Sequence, residues 1–554
     1  MGDGMKHTAS RCEAKPIQAD DSKFPWYSAD VSPTSSPESP SRTRIARKGL
    51  PIIVATLISR PLGFIREAVQ AALFGASRLT DAFLVAYNVP EMIQTLFFSG
   101  VLSNFFVPVI TRYREDKDEL STIFSVALNG ALLFSLFLLG VCYASASGLM
   151  TVAAPGLAAD DHALVVFLFR FMLPMLVLHC LLAVMKGALN SLDHYAMPEY
   201  AGVFFNLVMI VCALSLAPTY GITSLAIGAV AGSVLQLLVQ LPTLQRCGIR
   251  YRFTFAFHHP ALREMGGLAL GAVVATAVVP MNAFVARALA STLAEGSISS
   301  LAYAFRVFLL PVSLVAVPVY TVLLTELSAA YHEGQLQTFK KQAEAGLSLL
   351  FAVALPATAV LIALAVPITR LLYERGQFGP DDVRMTSQAL MAYGVGIVAY
   401  GTSQVMVRLF TASKDTRTPA WVGLASIVVN AFGCWLLMHV WGHWGIALVI
   451  SLVSYVNTLV LYLIFRHRYG PLDERLLSRS LLTHTTLAIV LGGGLFYLGQ
   501  PLAKTQGSLM TVEHVLHLAG IVTIAGGLYL VLGLLFKVEE IRALMQMIKR
   551  RFAR

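Results

Sequence analysis

The chemically informative feature of this sequence is a set of charged side chains placed inside long apolar segments. A charge at the bilayer centre costs a few kcal/mol, so such residues normally face a cavity or a charged partner. The basic ones are Arg60, Arg66, Arg170, Lys186, Arg287, Arg306 and Arg408, and the acidic ones are Glu67, Asp81, Glu91 and Glu326. Because basic residues outnumber acidic ones, the pattern predicts a cavity that takes an anionic ligand.

Depth within the apolar segments separates these residues. Arg60 and Arg306 lie two to three helical turns inside their segments, so we expect both to face a cavity rather than form a structural ion pair. Asp81 lies near the start of its segment, where an acid serves equally well as a functional group or as a helix-start residue. Arg287 lies near the outer end of its segment and is a further candidate. Four residues lie near segment ends, where long side chains snorkel or cap helices: Arg170, Lys186, Glu326 and Arg408.

Guanidinium groups narrow the class of anion. Their planar, permanently charged fork binds phosphate oxygens bidentately, which favours phosphate or pyrophosphate over a carboxylate. Neither the histidines nor the six cysteines show the spacing of metal ligands, so no metal site and no cofactor is expected. The net charge of +10 is not collected in one patch, which argues against nucleic acid.

The composition places these residues in a membrane protein. The chain has 554 residues, of which 56% are hydrophobic and 13% charged, whereas soluble proteins carry about 25% charged residues. We predict an all-α polytopic fold with fourteen spans, each boundary good to about 4 residues. The spans are 49–74, 78–110, 121–147, 162–191, 198–217, 220–243, 265–291, 297–330, 340–372, 382–413, 418–440, 443–465, 480–500 and 514–536.

Lys and Arg in the connections set the orientation, because they are retained on the cytoplasmic side. Segments on the side of the N-terminus carry twenty-five of them, and the opposite connections carry five. Both termini are therefore predicted to be cytoplasmic in a multi-pass protein of the bacterial inner membrane. Residues 1–44 are rich in Ser, Pro and charge without an apolar run, which predicts a disordered cytoplasmic tail.

Two regions about 222 residues apart resemble each other. Lys186–Pro198 and Arg408–Pro419 share a basic residue, a polar turn and a proline, and a helix pair follows each with turns at Gly221-Ile222 and Gly445-Ile446. Parallel repeats of this kind build transporters whose substrate path lies between the repeats. We predict two pseudo-symmetric six-helix lobes, 45–250 and 251–470, followed by two C-terminal helices and a basic cytoplasmic end in 471–554.

Several motifs resemble the MurJ (MviN) family of lipid II flippases in the multidrug/oligosaccharidyl-lipid/polysaccharide (MOP) exporter superfamily. The similarity covers roughly residues 49 to 470 in the same order. The motifs are Ser-Arg-Pro-Leu-Gly-Phe-Ile-Arg-Glu at 59–67, Thr-Asp-Ala-Phe at 80–83, Phe-Phe-Val-Pro at 105–108, Leu-Tyr-Glu-Arg-Gly-Gln-Phe at 372–378 and Lys-Asp-Thr-Arg-Thr-Pro at 414–419.

The resemblance implies a flippase for an undecaprenyl-pyrophosphate-linked peptidoglycan precursor, lipid II, which crosses from the cytoplasmic to the periplasmic leaflet by alternating access. The family's functional residues match Arg60, Arg66, Asp81 and Arg306, with the three arginines contacting the pyrophosphate. Spans 13 and 14 would form a groove for the lipid tail. Asp81 is the candidate site for a coupling cation, and no oligomeric state is implied.

This chain departs from the family pattern at a few positions. Gln94-Thr95 replaces a basic pair, Ser99-Gly100 lacks a glutamate, Phe305 replaces an acid, and Arg287 stands at a position that is usually uncharged. Arg287 therefore either compensates for the missing pair or indicates a different cargo. The alternative function is a diverged paralogue that flips another polyprenyl-linked oligosaccharide.

Two other classes remain as rivals. A membrane glycosyltransferase or polymerase would need a large aqueous loop with paired carboxylates or a metal site, and the outer connections are short, so no catalytic residues are assigned. A small-cation exporter of the same superfamily would need an acidic cavity rather than a basic one.

Overall fold

The computed structural model describes residues 42–96, 107–113, 115–254, 260, 277–313, 317–504, 512–536, 538 and 540–542. Every regular element within these ranges is a helix, and Pro51–Arg554 form one compact unit. The predicted tail, 1–44, lies outside the described residues except for its last three, which begin the first helix. Also outside are Ser99-Gly100 and parts of predicted spans 2 and 7.

Eighteen helices occupy the described residues. They are α1 (Arg42–Phe74), α2 (Arg78–Gln94), α3 (Val107–Arg112), α4 (Lys117–Ala144), α5 (Ala146–Ala153), α6 (Ala159–Ser191), α7 (Ala196–Tyr220), α8 (Thr223–Arg246), α9 (Ala277–Ala290), α10 (Ser297–Pro311), α11 (Val317–His332), α12 (Leu336–Ala363), α13 (Ala365–Tyr373), α14 (Pro380–Gly394), α15 (Ile397–Ala412), α16 (Arg417–Tyr469), α17 (Glu474–Lys504) and α18 (Val512–Leu535).

Helices of this length and hydropathy cross a bilayer. Eight helices in the described part of the chain are long and apolar enough to do so, and α14 with α15, which meet at a bend of 45°, meet the same criteria when taken together. Helix pairs α4–α5 and α12–α13 likewise each cover one predicted span. The all-helical membrane fold is confirmed, while the count of fourteen stays a prediction.

The internal repeat is visible in the backbone at an offset of 221 residues. Asp193 and Lys414 are the non-glycine residues with positive φ in the described chain, at 66° and 61°. Each ends a helix with the same 6→1 bond, from His194 N to Leu189 O and from Asp415 N to Phe410 O, both 2.9 Å. This is a Schellman-type cap in which a residue adopts the left-handed conformation. The two regions therefore terminate their helices identically.

The second turn of the repeat differs from the sequence-based pairing. Gly221 has φ 53° and ψ −136°, and Gly442, within the long α16, has φ 58° and ψ −141°. Gly445, which the sequence repeat pairs with Gly221, instead lies in the following helix against the carbonyl of Leu437. The prediction of a turn at Gly445-Ile446 was wrong by three residues, whereas the predicted gap between spans 418–440 and 443–465 coincides with the positive φ of Gly442.

Packing contacts divide the helices into two neighbourhoods. In the first, α6 packs on α2, α4 and α8, and α7 packs on α8. In the second, α12 packs on α11, α15 and α17, and α15 packs on α16. Helix α10 contacts both α14 and α2, so it links the two neighbourhoods. The site described below lies along this link.

The last two helices are joined by a buried polar cluster. The hydroxyl of Tyr529 donates to Ala352 O at 2.8 Å, so the His484 Nδ1 that lies 2.7 Å from it donates to the hydroxyl. Glu540 lies 3.7 Å from His484 Nε2 and accepts from Ser480 at 2.8 Å. The nearby imidazole and this hydrogen bond lower the pKa of Glu540 to about 2, although burial opposes them. The segment after α18 is thereby held against α17.

Candidate functional site

The structure brings two predicted arginines together through one carboxylate. Glu67 Oε1 accepts from Arg66 Nη2 at 3.1 Å and pairs with Arg306 Nε at 2.9 Å. Arg66 and Glu67 are neighbours on α1, whereas Arg306 comes from α10 on the other side of the chain's midpoint. Glu67 thus joins the two arginines across the link between the helix neighbourhoods.

Aromatic groups fix this cluster from two sides. The Arg66 guanidinium lies over the ring of Phe205, 5.9 Å from its centroid. Behind the cluster, Tyr303 and Tyr373 are buried, with ring centroids 4.9 Å apart. Cation–π contacts and packed rings restrict rotamers without consuming N–H donors. The arginines are therefore held in place while much of their hydrogen-bonding capacity remains available.

The cluster carries surplus positive charge. Two guanidinium groups share one carboxylate, and each guanidinium has five N–H donors. The side chains of Glu67 and Arg66 are 10% and 15% exposed, while that of Arg306 is 47% exposed, so the cluster reaches open space mainly through Arg306. An oriented fork of donors with unbalanced charge suits a phosphate or pyrophosphate group.

Arg287 lines a neighbouring cavity on α9. The cavity has a volume of about 230 Å³ and lies between α2 and α9, with Asn88, Glu91 and Thr95 on its other wall. Glu91 interacts electrostatically with both Arg287 and Arg306. Within the described residues no carboxylate lies within ion-pair distance of Arg287, so its charge is balanced at longer range. Arg287 thus faces the part of α2 that lacks the family's basic pair.

Asp81 is placed differently from the arginines. Its carboxylate accepts from Gly296 N at 2.9 Å and from Ser299 N at 2.7 Å. These are the cap and the third residue of α10, so Asp81 serves as the N-cap that this helix lacks in its own sequence. Both carboxylate oxygens are engaged by backbone, and Asp81 connects α2 to α10 rather than lining the cluster.

Further hydrogen bonds close the same end of the bundle. Gln377 N donates to Ala72 O at 2.8 Å, Ala76 N donates to Asp382 at 3.2 Å, and Arg78 N donates to Glu295 at 2.9 Å. The two segments can approach this closely only because residue 296 is a glycine, since a Cβ there would lie 2.2 Å from Ala76 O. The α1–α2 turn is thus hydrogen-bonded both to the segment that precedes α10 and to the segment around the start of α14.

The remaining basic residues do not join the cluster. Arg60 shares a helix face with Glu67, about two turns away, and is exposed without a carboxylate partner in the described chain. Lys186 pairs with Glu199 at 3.1 Å near a helix end. Arg408 lies over the ring of Tyr320, 5.5 Å from its centroid. The predictions for Arg60 and Asp81 as substrate ligands stay predictions.

Sequence reasoning missed Glu67 as a site residue. It was recognised only as an acid within a span, although the adjacent Arg-Glu pair at 66–67 carried a signal. An acid beside a cation deep in an apolar segment is expected to neutralise part of the charge. No group of three metal-ligating side chains occurs in the part of the chain that the structure describes.

The described helices have a fold that is also found in a solved transporter of the multidrug/oligosaccharidyl-lipid/polysaccharide (MOP) superfamily. The structure matches an inward-facing multidrug resistance MATE transporter of that superfamily with a TM-score of 0.64 and 15% identity, covering 78% of this chain and 99% of that one. At this identity the match establishes a shared fold.

The chain belongs to the family described as Lipid II flippase MurJ, which matches residues 70–519. The lipid II flippase MurJ of Burkholderia cenocepacia is 31% identical over 428 residues, covering 75% of this chain and 83% of that protein. A solved structure titled lipid II flippase MurJ in an inward closed conformation matches with a TM-score of 0.73 and 25% identity, over 87% of this chain and 98% of that one. The predicted family is confirmed, and it is one of transporters rather than enzymes.

Proposed function

We propose that this protein moves lipid II, an undecaprenyl-pyrophosphate-linked glycopeptide, from the cytoplasmic to the periplasmic leaflet. The observation that carries the proposal is the pair Arg66 and Arg306, held by Glu67 with unbalanced positive charge. Such a pair can clamp a pyrophosphate, the group that every such lipid presents, while the lipid tail stays in the bilayer. Family membership supports the same substrate.

Alternating access follows from the way the neighbourhoods meet. The helices up to α8 and those from α9 to α16 would form two lobes that rock about the cluster, as the repeat predicts. Hydrogen bonds from Asp81 to α10 and from Ala76 to Asp382 would hold one end closed. With cytoplasmic termini, that end would face the periplasm, so the structure would represent a state that loads from the cytoplasm.

Arg287 would supply the charge that α2 lacks. Its cavity opens between α2 and α9, beside Gln94-Thr95, where the family usually carries a basic pair. Glu91 on the same wall would keep Arg287 oriented while the cavity is empty. We expect Arg287 to contact the headgroup beyond the pyrophosphate, and Arg60 to meet the substrate at the open end of α1.

The test is rescue of a bacterial strain depleted of its own lipid II flippase. The unaltered chain should rescue growth, and Arg306→Ala and Arg66→Ala should fail at equal membrane abundance. Arg384→Ala is the matched control. Arg384 is exposed, pairs with Asp381 at a distance of 3.6 Å, and takes no part in the cluster. Rescue by Arg306→Ala would remove the clamp from the mechanism. Failure of the unaltered, well-expressed chain would instead indicate another polyprenyl-linked cargo.

A further inference from the structure

A second cationic site lies on the outside of the helix bundle, apart from the central cluster. It is a groove of about 660 Å³ between α4–α5 and α6, lined among others by Tyr143, His162, Phe167 and Arg170. The two aromatic side chains are each 52% exposed, as expected for a face turned toward lipid. The central site does not use any of these residues.

Arg170 is the unusual residue of this groove. It is exposed, and its guanidinium lies over the Tyr143 ring, 4.8 Å from the centroid. No carboxylate in the described chain lies within ion-pair distance of it, in contrast to Arg306 or Lys186. Stacking orients the guanidinium and leaves its N–H edges available to an acceptor.

Arg170 lies within the predicted span 162–191, toward the end at which α6 begins. Arg170 is eleven residues beyond the helix start at Ala159, about 16 Å along the axis. Because side chains tilt toward the N-terminus of a helix, Arg170 points toward the end that carries His162. His162 Nε2 lies 3.0 Å from Thr151 Oγ1 and 3.2 Å from Ser147 O, so a polar lip borders the groove there.

An unpaired charge near the end of a span is stabilised either by snorkelling to the interface or by an anion that accompanies it. We propose that the groove binds a membrane glycerophospholipid by its phosphate, which accepts from Arg170, while an acyl chain lies along Phe167 and Phe171. A phosphate supplies the two adjacent oxygens that a guanidinium fork prefers. The polar lip would receive the rest of the headgroup, and the lipid would occupy the leaflet at the end of the bundle where α6 begins.

The experiment titrates the purified full-length chain in detergent with phosphatidylglycerol and measures stepwise binding by native mass spectrometry. Arg170→Ala should weaken the tightest binding step roughly tenfold, and Arg170→Lys should weaken it less, because a lysine keeps the charge but not the fork. Tyr143→Leu tests the stacking platform without changing charge and should weaken the same step. Arg384→Ala removes a paired cation elsewhere and should bind as the unaltered chain does.

Two further ligands separate the contributions of phosphate and acyl chains. Diacylglycerol, which lacks the phosphate, should bind the unaltered chain more weakly than phosphatidylglycerol and should not distinguish the variants. Glycerol phosphate, which lacks the chains, should not compete. The proposal is overturned if Arg170→Ala, with an unchanged thermal midpoint, retains the tightest step, if diacylglycerol binds equally well, or if glycerol phosphate displaces the lipid.

Discussion

Replacement of Glu67 by Gln tests how the central cluster is held together. Glutamine keeps the size of the side chain but removes the charge that pairs with both Arg66 and Arg306. Because the two guanidinium nitrogens share one oxygen at 3.1 and 2.9 Å, they lie within about 6 Å of each other. We expect the arginines to separate once the shared carboxylate is gone.

The magnitude follows from the electrostatics of the pair. Two unit charges about 6 Å apart repel by about 3 kcal/mol at an effective dielectric constant near 20. The Arg306 side chain is 47% exposed, so solvent screening reduces the cost to about 1–2 kcal/mol. A free-energy change of this size corresponds to a loss of roughly tenfold in substrate affinity or transport rate.

The assay measures translocation of labelled lipid II in proteoliposomes, from its accessibility to a membrane-impermeant reagent. Glu67→Gln should translocate roughly tenfold more slowly. Glu199→Gln, which removes an acid from the exposed Lys186 pair, should translocate normally. A wild-type rate for Glu67→Gln at equal incorporation would refute a positioning role. A faster rate would refute it too, because Glu67 would then compete with the substrate.

Three further predictions concern the frame around the site. Asp81→Asn removes the charge and one acceptor from the cap of α10, and should lower the free energy of unfolding in detergent by about 1–2 kcal/mol; no change would exclude the cap as a stabilising contact. The methyl group added by Gly221→Ala or Gly442→Ala would have no neighbouring atom within 4 Å, but the alanine would have to adopt a positive φ. Each substitution should therefore lower the free energy of unfolding by about 1–2 kcal/mol. Clearly unequal losses would contradict the equivalence of the two repeat positions. Glu540→Gln should destabilise by roughly 1 kcal/mol at pH 7. Folding lowers the pKa of Glu540 from 4.5 to about 2. The difference in free energy of unfolding between the unaltered chain and Glu540→Gln should therefore shrink as the pH falls below 4.5. A difference that does not change with pH would show that the Glu540 charge does not stabilise the fold.

Much of the fold could be predicted because hydropathy, charge asymmetry and repeats are properties of the linear chain. The helix break near 442 illustrates the limit. The predicted spans 418–440 and 443–465 place the break at 441–442, whereas the repeat pairing placed it at Gly445, and the backbone conformation of Gly442 decides between them. Likewise, the bend between α14 and α15 lies within a continuous apolar pattern.

The site was predictable in its residue types but not in its pairings. Depth in an apolar segment predicted that Arg306 faces a cavity rather than forming an ion pair, whereas the structure pairs it with Glu67 at 2.9 Å and leaves its side chain 47% exposed. Whether two helices turn the same face toward each other depends on their rotation, which the sequence does not specify. Asp81 shows the converse, because its position at a helix start gave no sign that it caps a different helix, α10.

The most direct test of the central claim is lipid II translocation by the purified chain in proteoliposomes, compared with the Arg66→Ala/Arg306→Ala double variant. The unaltered chain should expose labelled lipid II in the opposite leaflet, and the double variant should not, although it is folded and incorporated equally. Equal translocation by both proteins would contradict the arginine clamp, and its absence with the unaltered chain would contradict the proposed substrate.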